Sequence, residues 1–377
     1  MELPTYFDRF LQDIRLTPSQ VEDAKIGHKT LRERLRADAD LAGIVVSDFL
    51  QGSYRRATAV RPKSNRRSDV DVIVVTALDR HRCTPADVLA RFTPFLDRHY
   101  KGKWEPQGRS FGIELSYVDL DLVPTSAPSE VEQSLLKSAS VRTEHTLAET
   151  ADWRLVPSWP DLNERISLAG KAALSAAENT AQWNGEPLWI PDRDAGNWEE
   201  TDPLTQIRWT ADKNRACSGH YVNVVKALKW WRRVHYPHDR PKGYPLEHLI
   251  GQTCPGGISS VAMGVTLALE SMRERYAACA QARQVPILPD HGVPSHNVLA
   301  RMDADTFAAF HAQVQEAAAL ARRAYDARDT DTSVAAWRVL FGGHFPNSPD
   351  QDRGGNPPGG YSPRQGPPTA IRGDRFA

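Results

Sequence analysis

Apolar residues Val21, Ala24, Leu31 and Leu35 recur at helical spacing behind Thr17 and Pro18, an N-cap followed by the proline that suits a first helical position. The pattern predicts a long amphipathic helix. Downstream, "IVVSDFLQGS", "SDVDVIVV" and "SFGIELSYVDLDLVPT" are β-branched or alternating and are set apart by turns rich in Pro, Gly and Asn, so they read as strands. "TPADVLARFTPFLDRHY", between the second and third, reads as helix. The first half is therefore α/β with a mixed sheet. Beyond "NWEETDPLTQIRWTADKN" the period changes. "GHYVNVVKALKWWRRVHY", "YPLEHLIGQTC", "ISSVAMGVTLALESMRERYAACAQA" and "DADTFAAFHAQVQEAAALARRAYDARD" are helix-length amphipathic segments, and the second half is nearly all helix. Trp230, Trp231 and Trp337 fall within these apolar patterns and belong to the core. The stretch 126–202, with many Trp, Asn and Pro residues, reads as connecting structure over a groove. From Asn347 the chain is Gly, Pro and polar residues, too poor in apolar surface to offset its ordering entropy, and a disordered tail is expected. The division is thus 1–200, with the long N-terminal helix, then a helical lobe over 201–346 and a tail over 347–377.

Composition changes this picture little. A chain of 377 residues has room for two packed lobes. Its 47 basic and 47 acidic residues cancel, so no global field draws in long nucleic acid, and any basic site is local. The cysteines, Cys83, Cys217, Cys254 and Cys279, lie far apart without a CxxC pair, against a disulfide framework or a zinc ribbon. Nor do the histidines show ligand spacing, so a structural zinc, for example on His235, His238 and Cys254, is not expected. With no apolar run of membrane-spanning length and no basic, apolar leader, the expectation is a cytoplasmic protein without a membrane partner.

The candidate chemistry lies in carboxylates. Residues two apart on a strand share a face, so Asp69 and Asp71 project together while Val70 and Val72 point into the core. Their mutual repulsion is resolved by a hard divalent cation such as Mg²⁺, which takes carboxylate oxygens together with substrate phosphates. A lone Asp-x-Asp on an exposed strand face would carry no such meaning; its surroundings decide. Gly52-Ser53 follows an apolar strand, where glycine permits close backbone approach and free N–H groups meet phosphate oxygens, with Gln51 just before it. Asp119 and Asp121 share a face of a further strand that would pair beside the first acidic one.

Gly-Ser, then Asp-x-Asp, then a distant Asp followed by Leu122-Val123-Pro124 resembles the polymerase-β-like nucleotidyltransferases. "FLQGSYRRATAVRP" with "SDVDVIVV" looks like the bacterial cGAS/DncV-like nucleotidyltransferases, or CD-NTases. The likeness to their clade D runs through "IRWTADKN", "HYVNVVKALKWWRR", "KGYPLEHLIG", "AAWRVLFGGHFP" and the terminal "RFA". The resemblance implies a nucleotidyltransferase lobe and a C-terminal helical lobe with the active site in the cleft between them. It also implies two Mg²⁺ ions on Asp69, Asp71 and Asp121, with Mn²⁺ as a substitute. ATP and GTP are the implied substrates, and the implied product is a cyclic trinucleotide of two adenylates and one guanylate serving antiphage (CBASS) signalling. Nothing in the spacing itself distinguishes that product from a cyclic dinucleotide, or from transfer to RNA or a small molecule.

Lys229 stands where the family supplies a donor-phosphate lysine, and Lys226, on nearly the same helix face, is the alternative; a solvated basic face is the plainer reading of both. Where the family often places a serine this chain has Gly243-Tyr244-Pro245, leaving Tyr244 as a stacking platform for a base. Arg109 would aim at the nucleotide from the sheet lobe, or be an ordinary strand-edge arginine. The run Arg55, Arg56, Arg61, Lys63, Arg66 and Arg67 lacks interleaved aromatics, which favours a solvated loop with one or two substrate-facing arginines over a duplex-binding surface. The resemblance offers two further partners: an E1/E2-like enzyme conjugating the tail through Ala377, or a HORMA-type activator.

Overall fold

The chain begins with an unanticipated helix, α1 (Pro4–Ile14), whose buried residues Phe7, Phe10, Leu11 and Ile14 follow helical spacing. The computed structural model describes residues 1–63, 66–126, 187–236 and 240–348. The predicted long helix, α2 (Pro18–Ala37), starts in a capping box: Thr17 Oγ1 accepts from the Gln20 backbone N–H at 3.2 Å, and the Gln20 side chain accepts from Thr17 N–H at 3.0 Å. Next come β1 (Val45–Gln51), the one-turn helix α3 (Gly52–Arg55), β2 (Ser68–Thr76) and α4 (Pro85–Tyr100). They are followed by β3 (Trp104–Pro106), β4 (Phe111–Glu114) and β5 (Val118–Ser126). "SFGIELSYVDLDLVPT" therefore folds as two strands, β4 and β5, turning where Leu115 N–H donates to Val118 O at 3.0 Å.

The sheet order is β1-β2-β5-β4-β3, with β2 and β5 parallel and the other pairs of that path antiparallel. Alternation sorts β2 into two faces. Val70, Val72 and Val74 are fully buried against Val21, Ala24, Leu31 and Leu35 of α2 and Phe92, Phe95 and Leu96 of α4. At about 1.5–3 kcal/mol for each buried side chain of this size, that face fixes the register, since a one-residue slip would send the valines to the opposite side. The opposite face carries Asp69 and Asp71, followed by Ile73 and Val75 in a smaller apolar cluster with Phe49 and Leu188. Part of the stretch expected to be mere connection is a hairpin, β6 (Leu188–Asp192) and β7 (Asn197–Thr201), added to the sheet through Ser126 and Trp189.

The helical lobe comprises α5 (Pro203–Ala216), α6 (Tyr221–His235), α7 (Gly243–Thr253), α8 (Val261–Arg275), α9 (Ala277–Gln281), α10 (Ala304–Asp326) and α11 (Thr330–Phe341). Its core contains Trp231 and Trp337, as the apolar pattern requires, and Trp230 is 7% exposed. It also contains α1. Phe10 stacks on Phe341 with ring centroids 4.5 Å apart, and Phe7 meets Trp337 edge-on at 5.0 Å. The boundary drawn at residue 200 is therefore corrected at its other end: the first helix packs in the helical lobe, and the sheet lobe starts after it. No described helix is long and apolar enough to cross a membrane. The tail from residue 349, Ala377 included, and His238 lie outside the described residues.

Candidate active site

Parallel pairing of β2 with β5 places Asp69 opposite Asp119 and Asp71 opposite Asp121, so four carboxylates share one face. They are not equivalent. Asp119 accepts from Arg67 Nε at 2.6 Å, and Arg67 also reaches Glu114 at 3.1 Å. Asp69, Asp71 and Asp121 have no salt-bridge partner among the described residues, and each offers an oxygen within 4.8 Å of the others. Asp69 is exposed to solvent yet crowded by protein; Asp71 and Asp121 are half-buried. Burial, then the charges of Asp71, Asp121 and Asp119, pushes the Asp69 carboxyl up to about 8. Burial, then the charges of Asp71 and Asp119, raises Asp121 to about 7, and burial raises Asp71, with Arg56 and Lys229 opposing. An all-oxygen donor set that repels itself in this way fits a hard divalent cation.

Beside this cluster the chain leaves β1 at Gln51, the register partner of Asp71, and turns through Gly52. Gly52 has φ +75°, and a Cβ there would lie 1.7 Å from Asp71 Oδ2, so the turn can touch the carboxylate only as glycine. The turn closes on Ser53, whose carbonyl accepts from Thr58 N–H at 2.9 Å and Ala59 N–H at 3.1 Å. Gln51 Nε2 donates to Gln206 Oε1 on α5 at 3.2 Å, which brings the helical lobe against the same turn.

The remaining expected residues divide. Lys229 lies beside this turn with its ammonium engaged: it donates to Thr58 O at 3.1 Å and is paired with Glu247 of α7. Lys226 is buried in α6, so neither lysine belongs to a solvated face. Tyr244, expected as a stacking platform for a base, donates its hydroxyl to Asp290 Oδ2 at 2.6 Å, and its ring lies 5.2 Å from the Arg56 guanidinium. Arg109 is engaged within the sheet lobe. Its Nε donates to Asp192 Oδ2 at 2.8 Å and its other arm pairs with Glu199, so it pins the β6–β7 hairpin to the β3–β4 turn. The arginine run is only partly a solvated loop. Arg56 is buried against Glu247, Arg61 pairs with Asp13, and Arg67 with Asp119, whereas Lys63 and Arg66 are exposed. Arg55, directly after Tyr54 in the turn, has no ion pair among the described residues, and burial lowers its guanidinium to about 10.

Sequence reasoning missed Glu247, Gln206 and Asp290. Glu247 left one trace, a single acid within the apolar "YPLEHLI", where a buried charge implies a partner from elsewhere.

A family profile described as Second Messenger Oligonucleotide or Dinucleotide Synthetase domain matches residues 1–136. The chain is 46% identical over 384 residues to a probable cyclic AMP-AMP-GMP nucleotide synthase of Salmonella paratyphi B, covering 100% of both. It is 30% identical over 346 residues to a cyclic AMP-AMP-AMP synthase of an Acinetobacter species, covering 90% of this chain and 84% of that one. Among solved structures, the CD-NTase CdnG of Bradyrhizobium diazoefficiens, in complex with GTP, superposes with a TM-score of 0.64 at 12% identity, over 89% of this chain and 95% of that one. Full-length identity at this level, together with the paired acidic strands and the glycine turn, means that the chain belongs to the cGAS/DncV-like nucleotidyltransferases, enzymes that synthesise cyclic oligonucleotides on a polymerase-β-like fold.

Proposed function

We propose that this enzyme makes cyclic AMP-AMP-GMP from ATP and GTP with Mg²⁺, as a second messenger in antiphage (CBASS) defence. The observation that carries the catalytic part is the convergence of Asp69, Asp71 and Asp121, without a cationic partner among the described residues, beside the Gly52 turn. The product follows the relative that is 46% identical over its whole length. Asp69, Asp71 and Asp121 would hold the divalent ions, which when bound lower the pKa of the acceptor 3′-hydroxyl and stabilise charge on the departing pyrophosphate. The chain's own groups do the positioning. The backbone of Gly52 and Ser53 lets a donor phosphate approach Asp71, Arg55 of the same turn, without an ion pair among the described residues, would be the arginine of the run to meet it, and Arg56 and Lys229 bring positive charge to that turn. Each adenylyl or guanylyl transfer forms one phosphodiester bond and releases one pyrophosphate. The linear intermediate then returns its triphosphate end to the donor position for closure.

Incubation with ATP, GTP and Mg²⁺, without any acceptor, tests this reading. A phosphatase-resistant product with the mass of a cyclic trinucleotide of two adenylates and one guanylate is expected, and chelation of the metal is expected to abolish it. An all-adenylate ring would move the chain towards the relative at 30% identity. Synthesis that required added RNA or a small-molecule acceptor would overturn the proposal.

A further inference from the structure

Glu247 sits on α7 between fully buried Leu246 and Leu249, and is itself 6% exposed. Its two oxygens serve three groups. Oε2 accepts from Arg56 Nε at 3.2 Å, and Oε1 accepts from Thr58 Oγ1 at 3.0 Å and from the Lys229 ammonium. Lys229 in turn donates to the Thr58 carbonyl at 3.1 Å. Arg56 and Thr58 belong to the turn that closes on Ser53, whereas Lys229 and Glu247 belong to the helical lobe, so one carboxylate ties the two lobes together at the glycine turn.

The charges here do not balance. A buried ion pair kept only for packing needs one cation per carboxylate, and a surplus buried charge is costly. Glu247 meets two. The surplus lies at the turn that touches Asp71: Arg56 N–H donates to the Gly52 carbonyl at 3.1 Å, and a Cβ on Gly52 would lie 1.7 Å from Asp71 Oδ2. Nor is the junction free to rearrange: Tyr221 donates its hydroxyl to the Glu247 carbonyl at 3.1 Å, and the Arg56 guanidinium packs 5.2 Å from the Tyr244 ring.

We propose that Glu247 is a positioning residue for nucleotidyl transfer: it clamps Arg56, Thr58 and Lys229 together so that their surplus positive charge is held beside Asp71, where the donor triphosphate and then pyrophosphate lie. This rests on the cleft being the donor-nucleotide site. The carboxylate touches no substrate; it acts through the two cations.

Steady-state kinetics with ATP, GTP and Mg²⁺, product inhibition by pyrophosphate, and calorimetric binding of Mg²⁺-pyrophosphate test it on the full chain. Glu247→Gln is expected to raise the KM for ATP and weaken pyrophosphate about tenfold or more, with kcat falling less than KM rises. Glu247→Asp keeps the charge, shortens the reach by one methylene and is expected to shift both in the same direction by a few-fold; it carries the criterion if Glu247→Gln does not fold. A purely structural Glu247 would lower Tm and leave KM and pyrophosphate affinity alone, and that result in either variant overturns the proposal. Should the wild-type chain make no nucleotide product, the synthase reading fails while calorimetry still decides the clamp: weakened pyrophosphate binding in the variants supports it. Unchanged binding, or a wild-type chain that binds no pyrophosphate, overturns it.

Discussion

Asp48 on β1 and Asp71 on β2 lie on adjacent strands of one sheet, yet only Asp48 has guanidinium partners. It is 2% exposed and held by Arg32 and Arg36 of α2, the latter at 3.0 Å, on the helix-covered face. Asp71, on the opposite face, lies with Asp69 and Asp121 and forms no ion pair among the described residues; Arg56 and Lys229 oppose its burial without pairing with it. The difference separates two uses of a buried acid. Paired charge joins a helix to a sheet; unpaired charge costs stability and leaves a place for an incoming cation. Asp119 shows that the distinction is local, since Arg67 removes it from the cluster although it occupies the same strand face.

Breaking the comparison from the active side gives the largest effect. Asp71→Asn is expected to lower the rate of product formation about 10³-fold or more, a loss of roughly 4 kcal/mol in transition-state stabilisation. Relief of repulsion should leave the metal-free Tm unchanged or about 2 °C higher. Chromatography of the products and calorimetry check both, and more than a tenth of wild-type activity would contradict the site. From the structural side, Asp48→Asn should do the reverse, costing about 3 kcal/mol of stability by leaving Arg32 and Arg36 uncompensated. The folded fraction should keep kcat within roughly twofold, because the change lies on the other face. Denaturant titration alongside kinetics separates the two losses.

Gly52→Ala probes the contact between turn and carboxylate. The added methyl cannot occupy space 1.7 Å from Asp71 Oδ2 and meets a backbone at φ +75°, so kcat/KM is expected to fall about 100-fold and Tm by about 2 °C. The smallest effect is that of pH on the metal-free protein. The native chain holds protons on Asp69 up to about pH 8 and on Asp121 up to about pH 7, whereas the unfolded chain releases both near the ordinary aspartate value of 3.8. The folded state therefore binds more protons between these limits, and these groups lower stability as pH rises through that window. Tm without metal should decline from pH 5 to pH 8, and Mg²⁺ should raise it more at pH 8 than at pH 6. A metal-induced shift independent of pH would show that these carboxyls are ionised before the ion arrives.

Much of this architecture was readable along the chain because it depends on near neighbours. The capping residue Thr17 and the apolar faces of α2 and α4 are local patterns, as is the alternation that sets Asp69 and Asp71 against Val70 and Val72. The pairing of the two acidic strands was legible because both carry the same Asp-x-Asp rhythm. The helix α1 was also there to be read, in Phe7, Phe10, Leu11 and Ile14, but not its destination, since an amphipathic face says that it must be covered and not by what.

By itself, then, the order of residues determined which segments are helix or strand, which face of β2 is buried, and which carboxylates share the other face, because backbone periodicity acts over a few residues. Only tertiary structure decided which charges are cancelled. Arg67 with Asp119, Arg109 with Asp192, and Arg56 with Glu247 across 191 positions are meetings between distant segments. Each side chain looked equally available in the sequence, and its electrostatic role was settled by the partner that packing placed within about 3 Å of it.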